Sequence, residues 1–232
     1  MSRQPPVQQP PPVQRIRLRY AKRGRARFAS HRDFSRAFER ALIRAEAPMA
    51  YSSGFSPHPR ISYVNAAPTL AASEAEYVEI ALARVCEPDD LRTRLDAALP
   101  DGFAVVAAMI ADGGSLADAL THSQWRLELP GVSADTLAVA VAALLDHDEV
   151  IVERRVKDGV RAFDARGAIT DLRVLGPGRA EAVVALTAPL VRPDDAVSAL
   201  RAVCAAVEPV APPVFTRRRQ GAWDGAEVRN PF

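Results

Sequence analysis

The chain has 232 residues, of which 48% are apolar and 25% charged, a composition typical of a soluble globular protein with a buried core. Its apolar runs are shorter than the roughly 20 residues that a membrane-spanning helix needs, and its N-terminus lacks the signal-peptide pattern, so we expect a cytoplasmic protein without membrane contact. The two cysteines, Cys86 and Cys204, are too few and too far apart for a zinc site or a metal cluster, so we expect no cofactor.

Positive charge is concentrated between Arg15 and Arg60. This segment holds twelve Lys and Arg residues against three acidic ones, so it carries +9 while the whole chain carries +2. Charge segregated in this way indicates a polyanionic partner more often than a requirement of the fold.

The N-terminal part predicts a tail followed by a strand. Residues 1–14 are rich in Pro and Gln and predict a disordered or polyproline tail. From Arg15 to Lys22 apolar and cationic residues alternate, which predicts a half-buried strand. Its apolar face carries Ile16, Leu18 and Tyr20, and its cationic face carries Arg15, Arg17 and Arg19.

A helix is predicted to begin at Ser30, because Ser30 and Asp33 have the spacing of a capping box. Phe34, Phe38 and Leu42 then form an apolar stripe. On another face an arginine recurs every fourth residue, and like charges at this spacing cost about 0.2–0.5 kcal/mol per pair. We therefore expect the row to meet either acidic groups of the same fold or an external anion. The row consists of Arg32, Arg36, Arg40 and Arg44.

The elements that follow predict the fold class. Strands are expected at Ile61–Val64, Glu76–Leu82 and Phe103–Ile110, and a helix at Pro88–Leu99. With the first strand and helix, this order is typical of a ferredoxin-like (split βαβ) domain, whose helices cover one face of an antiparallel sheet. The cationic face of the first strand is then expected to stay open, unless Glu79 pairs with Arg17.

The second half repeats this alternation, with an additional hairpin at Asp158-Gly159. We therefore predict an α+β protein made of two ferredoxin-like halves with antiparallel sheets. The predicted divisions are a tail at 1–14, a first domain at 15–112, a second at 121–216 and a basic, mobile tail at 217–232.

Two histidines are the candidates for catalysis. The chain has no nucleotide-binding glycine loop, no nucleophile elbow and no metalloprotease motif. His31 and His58 would suit metal-free RNA cleavage as an acid–base pair if they shared a site. In the alternative, His31 supports the helix start and His58 holds its loop. The spacing of His31, Asp33 and His58 matches no recognised ligand pattern, so no metal site is predicted.

Three segments carry a resemblance to a known family: residues 28–33 (FASHRD) with the arginine row, residues 48–62 (PMAYSSGFSPHPRIS) and residues 73–77 (SEAEY). They resemble the radical-SAM-associated (radical-SAM-linked) proteins, a bacterial family of unknown function. Similar domains occur at the C-terminus of radical-SAM-like proteins and are encoded near ribonuclease E/G, so the resemblance implies a radical-SAM partner and a connection with RNA. Relatives usually have a glycine where this chain has Leu70.

The sequence leaves three functional hypotheses open. The first is a non-catalytic accessory module that binds or presents RNA for a radical-SAM protein. The second is an adaptor whose arginines meet acidic surfaces of that protein, and the third is a metal-independent ribonuclease that uses His31 and His58. For RNA binding, arginines would contact phosphates and Tyr20, Tyr51 or Phe55 would stack on bases. The expected RNA-binding residues are Arg15, Arg17, Arg19, Arg32, Arg36, Arg40, Arg44, Tyr51, Phe55, His58 and Arg60.

Overall fold

The computed structural model describes residues 8–232, which fold as two compact units of mixed α+β structure. Unit 1 holds the described residues up to Asp118 together with Phe232, and unit 2 runs from Ala119 to Pro231. Of the predicted tail, residues 1–7 lie outside the described residues. Residues 8–13 form no helix or strand, and Gln14 already begins the first strand.

Unit 1 alternates strands and helices in the order expected from its sequence. A short 3-10 helix at Gly24–Phe28 follows the first strand. The elements are β1 (Gln14–Lys22), α1 (His31–Arg44), β2 (Ile61–Val64), β3 (Ala72–Leu82), α2 (Pro88–Ala98), β4 (Phe103–Ile110) and the short α3 (Leu116–Ala119).

The sheet of unit 1 has the strand order β4-β1-β3-β2, and these pairings are antiparallel. Alternate residues of β1 and β3 enter a core that also contains Phe34 and Phe38 of α1 and Leu91 and Leu95 of α2. Both helices therefore cover the same face of the sheet. Because side chains alternate along a strand, Arg15, Arg17 and Arg19 lie on the opposite face.

Unit 2 has a related sheet with an inserted hairpin. The sheet order is β10-β5-β9-β8, and all of these pairings are antiparallel. The strands β6 and β7 form a separate hairpin, and β11 pairs with β10. The elements are β5 (His122–Glu128), α4 (Ala134–Asp146), β6 (Ile151–Val156), β7 (Gly159–Asp164), β8 (Ile169–Gly176), β9 (Arg179–Ala185), α5 (Pro193–Val203), β10 (Val214–Trp223) and β11 (Val228–Arg229).

The C-terminal segment differs from the sequence-based prediction. Residues 217–232 were expected to form a basic, mobile tail, but Val214–Trp223 is a strand of the unit 2 sheet. The guanidinium of Arg217 lies 4.7 Å from the ring centroid of buried Trp125, so this arginine packs inside unit 2. No helix among residues 8–232 is both long enough and apolar enough to cross a membrane.

Candidate nucleic-acid interface

The helix α1 displays the arginine row on a firmly anchored surface. Ser30 caps the helix: its hydroxyl accepts a hydrogen bond from the Asp33 N–H at 3.2 Å, and the Asp33 carboxylate accepts one from the Ser30 N–H at 3.0 Å. The Ser30 hydroxyl also donates to the Asp33 carboxylate at 2.7 Å, and this bond together with the one from the Ser30 N–H holds the pKa of Asp33 below its usual range, with Arg36 nearby. The apolar stripe of α1 is buried, so the arginines point away from the sheet.

Three arginines of this row are exposed and make no ion pair or side-chain hydrogen bond in the part of the chain that the structure describes. Within residues 8–232, no ion pair or side-chain hydrogen bond engages Arg32, Arg36 or Arg40. Arg44 differs, because its guanidinium donates a hydrogen bond to the Ala98 carbonyl at the end of α2. A cation at that position also compensates the negative end of the helix. Asp33 is used in the cap, so it is a poor counter-ion for the row.

The β1 arginines are engaged to different degrees. Arg17 is 5% exposed, and its guanidinium contacts Glu79 at 3.1 Å and Asp112 at 3.0 Å. It also donates to the carbonyls of Gly113 and Gly114 at 2.6 and 2.7 Å. These contacts use four of its five N–H donors and the side chain is buried, so Arg17 cannot serve as an accessible phosphate ligand.

Arg15 and Arg19 lie on the same face as Arg17. Arg15 is half exposed and contacts the other oxygen of Glu79 at 3.0 Å. Arg19 is half-buried, and its Nε atom has no hydrogen-bond partner among the described residues. Next to it in the sheet, Tyr77 is buried and packs edge-on against the ring of Phe232. The expectation that this face stays open is therefore incorrect around Arg17 and Tyr77, because residues 112–114 and Phe232 cover it.

The two groups of arginines do not form one surface. The β1 arginines lie on the sheet face opposite the helices, whereas Arg32, Arg36 and Arg40 lie on the outer side of α1. The sheet and the helix layer separate the two groups. We therefore treat the α1 row and the sheet-side residues as distinct sites.

The segment between α1 and β2 forms a constrained loop. Ser52 N–H donates to the His58 carbonyl at 2.8 Å, and the His58 N–H donates to the Ser52 hydroxyl at 3.0 Å. Phe55 lies at the tip between these two residues and is strongly exposed. Tyr51 is also exposed, and together with Glu39 and Ile43 of α1 it lines a cavity of about 140 Å³. Tyr51 therefore borders the helix that carries the arginine row.

The structure does not bring the two histidines together. His31 is the first residue of α1 and meets Tyr63 edge-on, with ring centroids 4.8 Å apart. Burial raises the pKa of the Tyr63 hydroxyl to about 12, so this phenol stays protonated at neutral pH. His58 lies in the loop and lines a different cavity, with Arg15 and Arg60. No hydrogen bond or ring contact among residues 8–232 joins the two imidazoles.

Tyr20 cannot serve as an exposed stacking platform. It is buried and stacks on Phe34 with ring centroids 4.0 Å apart. Ser62, which lies beside Glu79 in the sheet, was missed as a candidate polar residue. The alternation that starts at Arg60 would have found it, because Arg60 and Ser62 lie on the same face of β2.

Among residues 8–232, no group of three His, Cys, Asp or Glu side chains is placed to hold a metal ion. The model of a family described as an uncharacterized protein conserved in bacteria (DUF2344) matches residues 15–197. No curated protein matches the chain. The family match covers well over half of the sequence, so the chain belongs to this bacterial family.

Proposed function

We propose that this member of an uncharacterized bacterial family is a non-catalytic module that binds single-stranded RNA along the outer face of α1. The observation that carries the proposal is the row of three exposed arginines, Arg32, Arg36 and Arg40, which make no ion pair and no side-chain hydrogen bond among the described residues. Four residues of helix advance by about 6 Å, so the row presents its charges in line. A polyanion would relieve the repulsion between them.

An aromatic side chain beside the row favours RNA over an acidic protein. Tyr51 is exposed at the edge of α1, where it shares a cavity with Glu39 and Ile43. Proteins that bind single strands combine a cationic path for the backbone with aromatic rings on which bases stack. Phe55 offers a second exposed ring at the tip of the same loop.

Binding of a short labelled RNA, followed by fluorescence anisotropy at two salt concentrations, tests this proposal. For each tenfold increase in salt concentration, log K falls by about 0.7 per neutralised single-strand phosphate. For three neutralised phosphates, the affinity should therefore fall about 20-fold between 50 and 200 mM salt. Arg36→Glu should weaken binding and lower the salt dependence. Arg84→Glu is the matched control, because Arg84 is also an exposed arginine of unit 1 but lies outside the row.

Two results would overturn the RNA proposal. One is the absence of binding at low salt, which would instead favour an acidic protein surface as the partner of the row. The other is an equal loss of affinity in Arg36→Glu and Arg84→Glu, which would show that only the net charge of the chain matters.

We also propose that the module works with a radical-SAM protein. The support is the resemblance carried by residues 28–33 and 48–62. Affinity purification from a bacterium that encodes both proteins should recover the pair after nuclease treatment. Failure to recover it from cells that express both would count against the partnership.

We propose further that each unit is ferredoxin-like. The strand order β4-β1-β3-β2 of unit 1, with helices after its first and third strands, supports this assignment. Unit 2 has the corresponding order β10-β5-β9-β8, with the β6–β7 hairpin inserted after α4. An experimental structure with another order of sheet neighbours would refute the assignment.

A further inference from the structure

A second cationic site lies on the sheet side of unit 1, away from the α1 row. It is a surface cavity of about 330 Å³. Its polar lining comes from Arg15, Ser52, His58, Arg60, Ser62 and Glu79. Apart from Arg15, these residues belong to the loop before β2, to β2 and to β3.

The sheet register explains why a depression forms here. Ala81 of β3 lies opposite Arg15 in β1, and on its other side its N–H donates to the Arg60 carbonyl at 3.0 Å. Neighbouring strands are about 4.8 Å apart. The backbones of the two arginines therefore lie on either side of Ala81, about two strand spacings from each other. The small side chain of Ala81 leaves the space between them unfilled.

The charge of this cavity is not balanced by its own carboxylate. The two oxygens of Glu79 accept hydrogen bonds from Arg15 and Arg17 at 3.0 and 3.1 Å. Arg60 has no carboxylate partner among the described residues. Its Nε donates to the Tyr51 carbonyl at 3.1 Å, which fixes the guanidinium, while its terminal N–H groups have no acceptor within residues 8–232.

Hydrogen-bond donors surround this fixed guanidinium. The paired main chains of Ser52 and His58 hold the loop in place, so the His58 imidazole is presented on a constrained backbone. The exposed hydroxyl of Ser62 lies on the same face of β2 as Arg60. Arginine recognises phosphate oxygens through its planar fork of N–H groups, and hydroxyl and imidazole groups add further donors.

We propose that this cavity binds a phosphomonoester, either the terminal phosphate of an RNA strand or that of a free mononucleotide. An internal phosphodiester has one less charge and one less unsubstituted oxygen, so the cavity should distinguish a strand end from the chain interior. For the RNA source the inference rests on the proposed function, but for the mononucleotide it stands independently.

The test measures the affinity of three probes by competition or calorimetry. The probes are a short RNA with a 5′-phosphate, the same RNA with a 5′-hydroxyl, and a nucleoside 5′-monophosphate. The 5′-phosphate should increase RNA affinity about tenfold or more, as expected for charge-assisted hydrogen bonds to arginine. Arg60→Gln should abolish this affinity difference between the two RNAs, so that their affinity ratio falls to one. Arg60→Lys should restore only part of the difference, because the planar fork of the guanidinium is lost.

Control variants separate this site from the α1 row. Arg36→Gln should weaken the RNA with a 5′-hydroxyl, which uses the α1 row, and leave the Arg60-dependent binding of the nucleoside monophosphate unchanged. Arg84→Gln should leave the affinity ratio of the two RNAs unchanged. If Arg60→Gln loosens the loop, as circular dichroism would reveal, Arg15→Gln provides a second variant that has no contact with Tyr51.

The source of the phosphate follows from the pattern of binding. If the affinity ratio of the 5′-phosphate RNA to the 5′-hydroxyl RNA depends on Arg60, the ligand is the end of an RNA strand. If only the monophosphate binds in an Arg60-dependent way, the ligand is a free nucleotide. Equal affinity of the two RNAs together with no binding of the monophosphate would overturn the inference. An equal effect of Arg60→Gln and Arg84→Gln on all three probes would overturn it too.

Discussion

The substitution Arg17→Met tests whether the buried arginine of β1 stabilises unit 1. Methionine keeps most of the aliphatic volume of the side chain and removes the charge and four hydrogen bonds. Hydrogen bonds that involve charged groups contribute a net stabilisation of about 1.5–3 kcal/mol each, and less where water can replace them. Arg15→Met is the matched control, because Arg15 lies on the same strand and shares the acceptor Glu79.

The structure sets the expected magnitude. Asp112 is 78% exposed, and the carbonyls of Gly113 and Gly114 belong to exposed residues. Water can therefore replace much of the hydrogen bonding that these acceptors lose in Arg17→Met. Glu79 keeps Arg15 as its partner. We therefore expect a loss of about 2–4 kcal/mol in the free energy of unfolding, at or below the cost of breaking a fully buried pair. The half-exposed Arg15 should contribute less than about 1 kcal/mol.

The assay must report on unit 1 specifically. Both tryptophans, Trp125 and Trp223, lie in unit 2, so their fluorescence is not a direct probe of unit 1. Amide hydrogen exchange at Leu18 and Val78, which are buried in the core of unit 1, measures the required free energy. Equal losses in Arg17→Met and Arg15→Met would refute the reasoning, because only the contacts with residues 112–114 distinguish the two arginines in kind.

Three further predictions follow from particular residues. Leu70 has a φ of +78°, so Leu70→Gly should be more stable than Leu70→Ala by about 0.5–1 kcal/mol in denaturant unfolding, and the order should reverse at neighbouring Thr69. Partial burial opposes ionisation of Asp164, but three main-chain N–H donors hold its pKa below the usual range. The free energy of unfolding should therefore fall as the pH drops below about 4. This fall should be less steep in Asp164→Asn, with tryptophan fluorescence as the readout. Because no hydrogen bond or ring contact among the described residues joins His31 to His58, RNA should stay intact when it is incubated with the protein in chelator. Cleavage that either His→Ala variant abolishes would contradict this.

Local patterns predicted the elements of the fold well. The capping box at Ser30, the alternation in β1 and the strand Phe103–Ile110 all agree with the structure. These features depend on residues close in sequence, and their physics acts over one or two turns of chain. The run of three arginines at 217–219 misled the prediction, because its packing on Trp125 depends on a strand about 90 residues earlier.

The site could be predicted only in part. Strand alternation correctly placed Arg17 opposite the core, but the contacts that bury it come from residues 112–114, far away in sequence. Tyr20 was offered for base stacking although its own alternation predicted a place in the core, where the structure has it. The predicted layout, with helices on one face of the sheet and the cationic face of β1 on the other, already implied that the α1 row and the β1 arginines face opposite ways, yet both were included in one set of RNA-binding residues.

The two proposed cationic sites lie apart within unit 1, so together they would make this unit divalent towards polyanions. A short oligonucleotide can occupy only one site, since the sites are separated by at least the diameter of a helix, about 10–12 Å, and the sheet beneath it. A long RNA has two ways to engage both: it can pass around the edge of the unit, or it can bridge two molecules. The first route gains avidity through the high effective concentration of the tethered strand, whereas the second produces networks. Turbidity should therefore appear with long RNA near charge equivalence, disappear with excess RNA, and be absent with short strands.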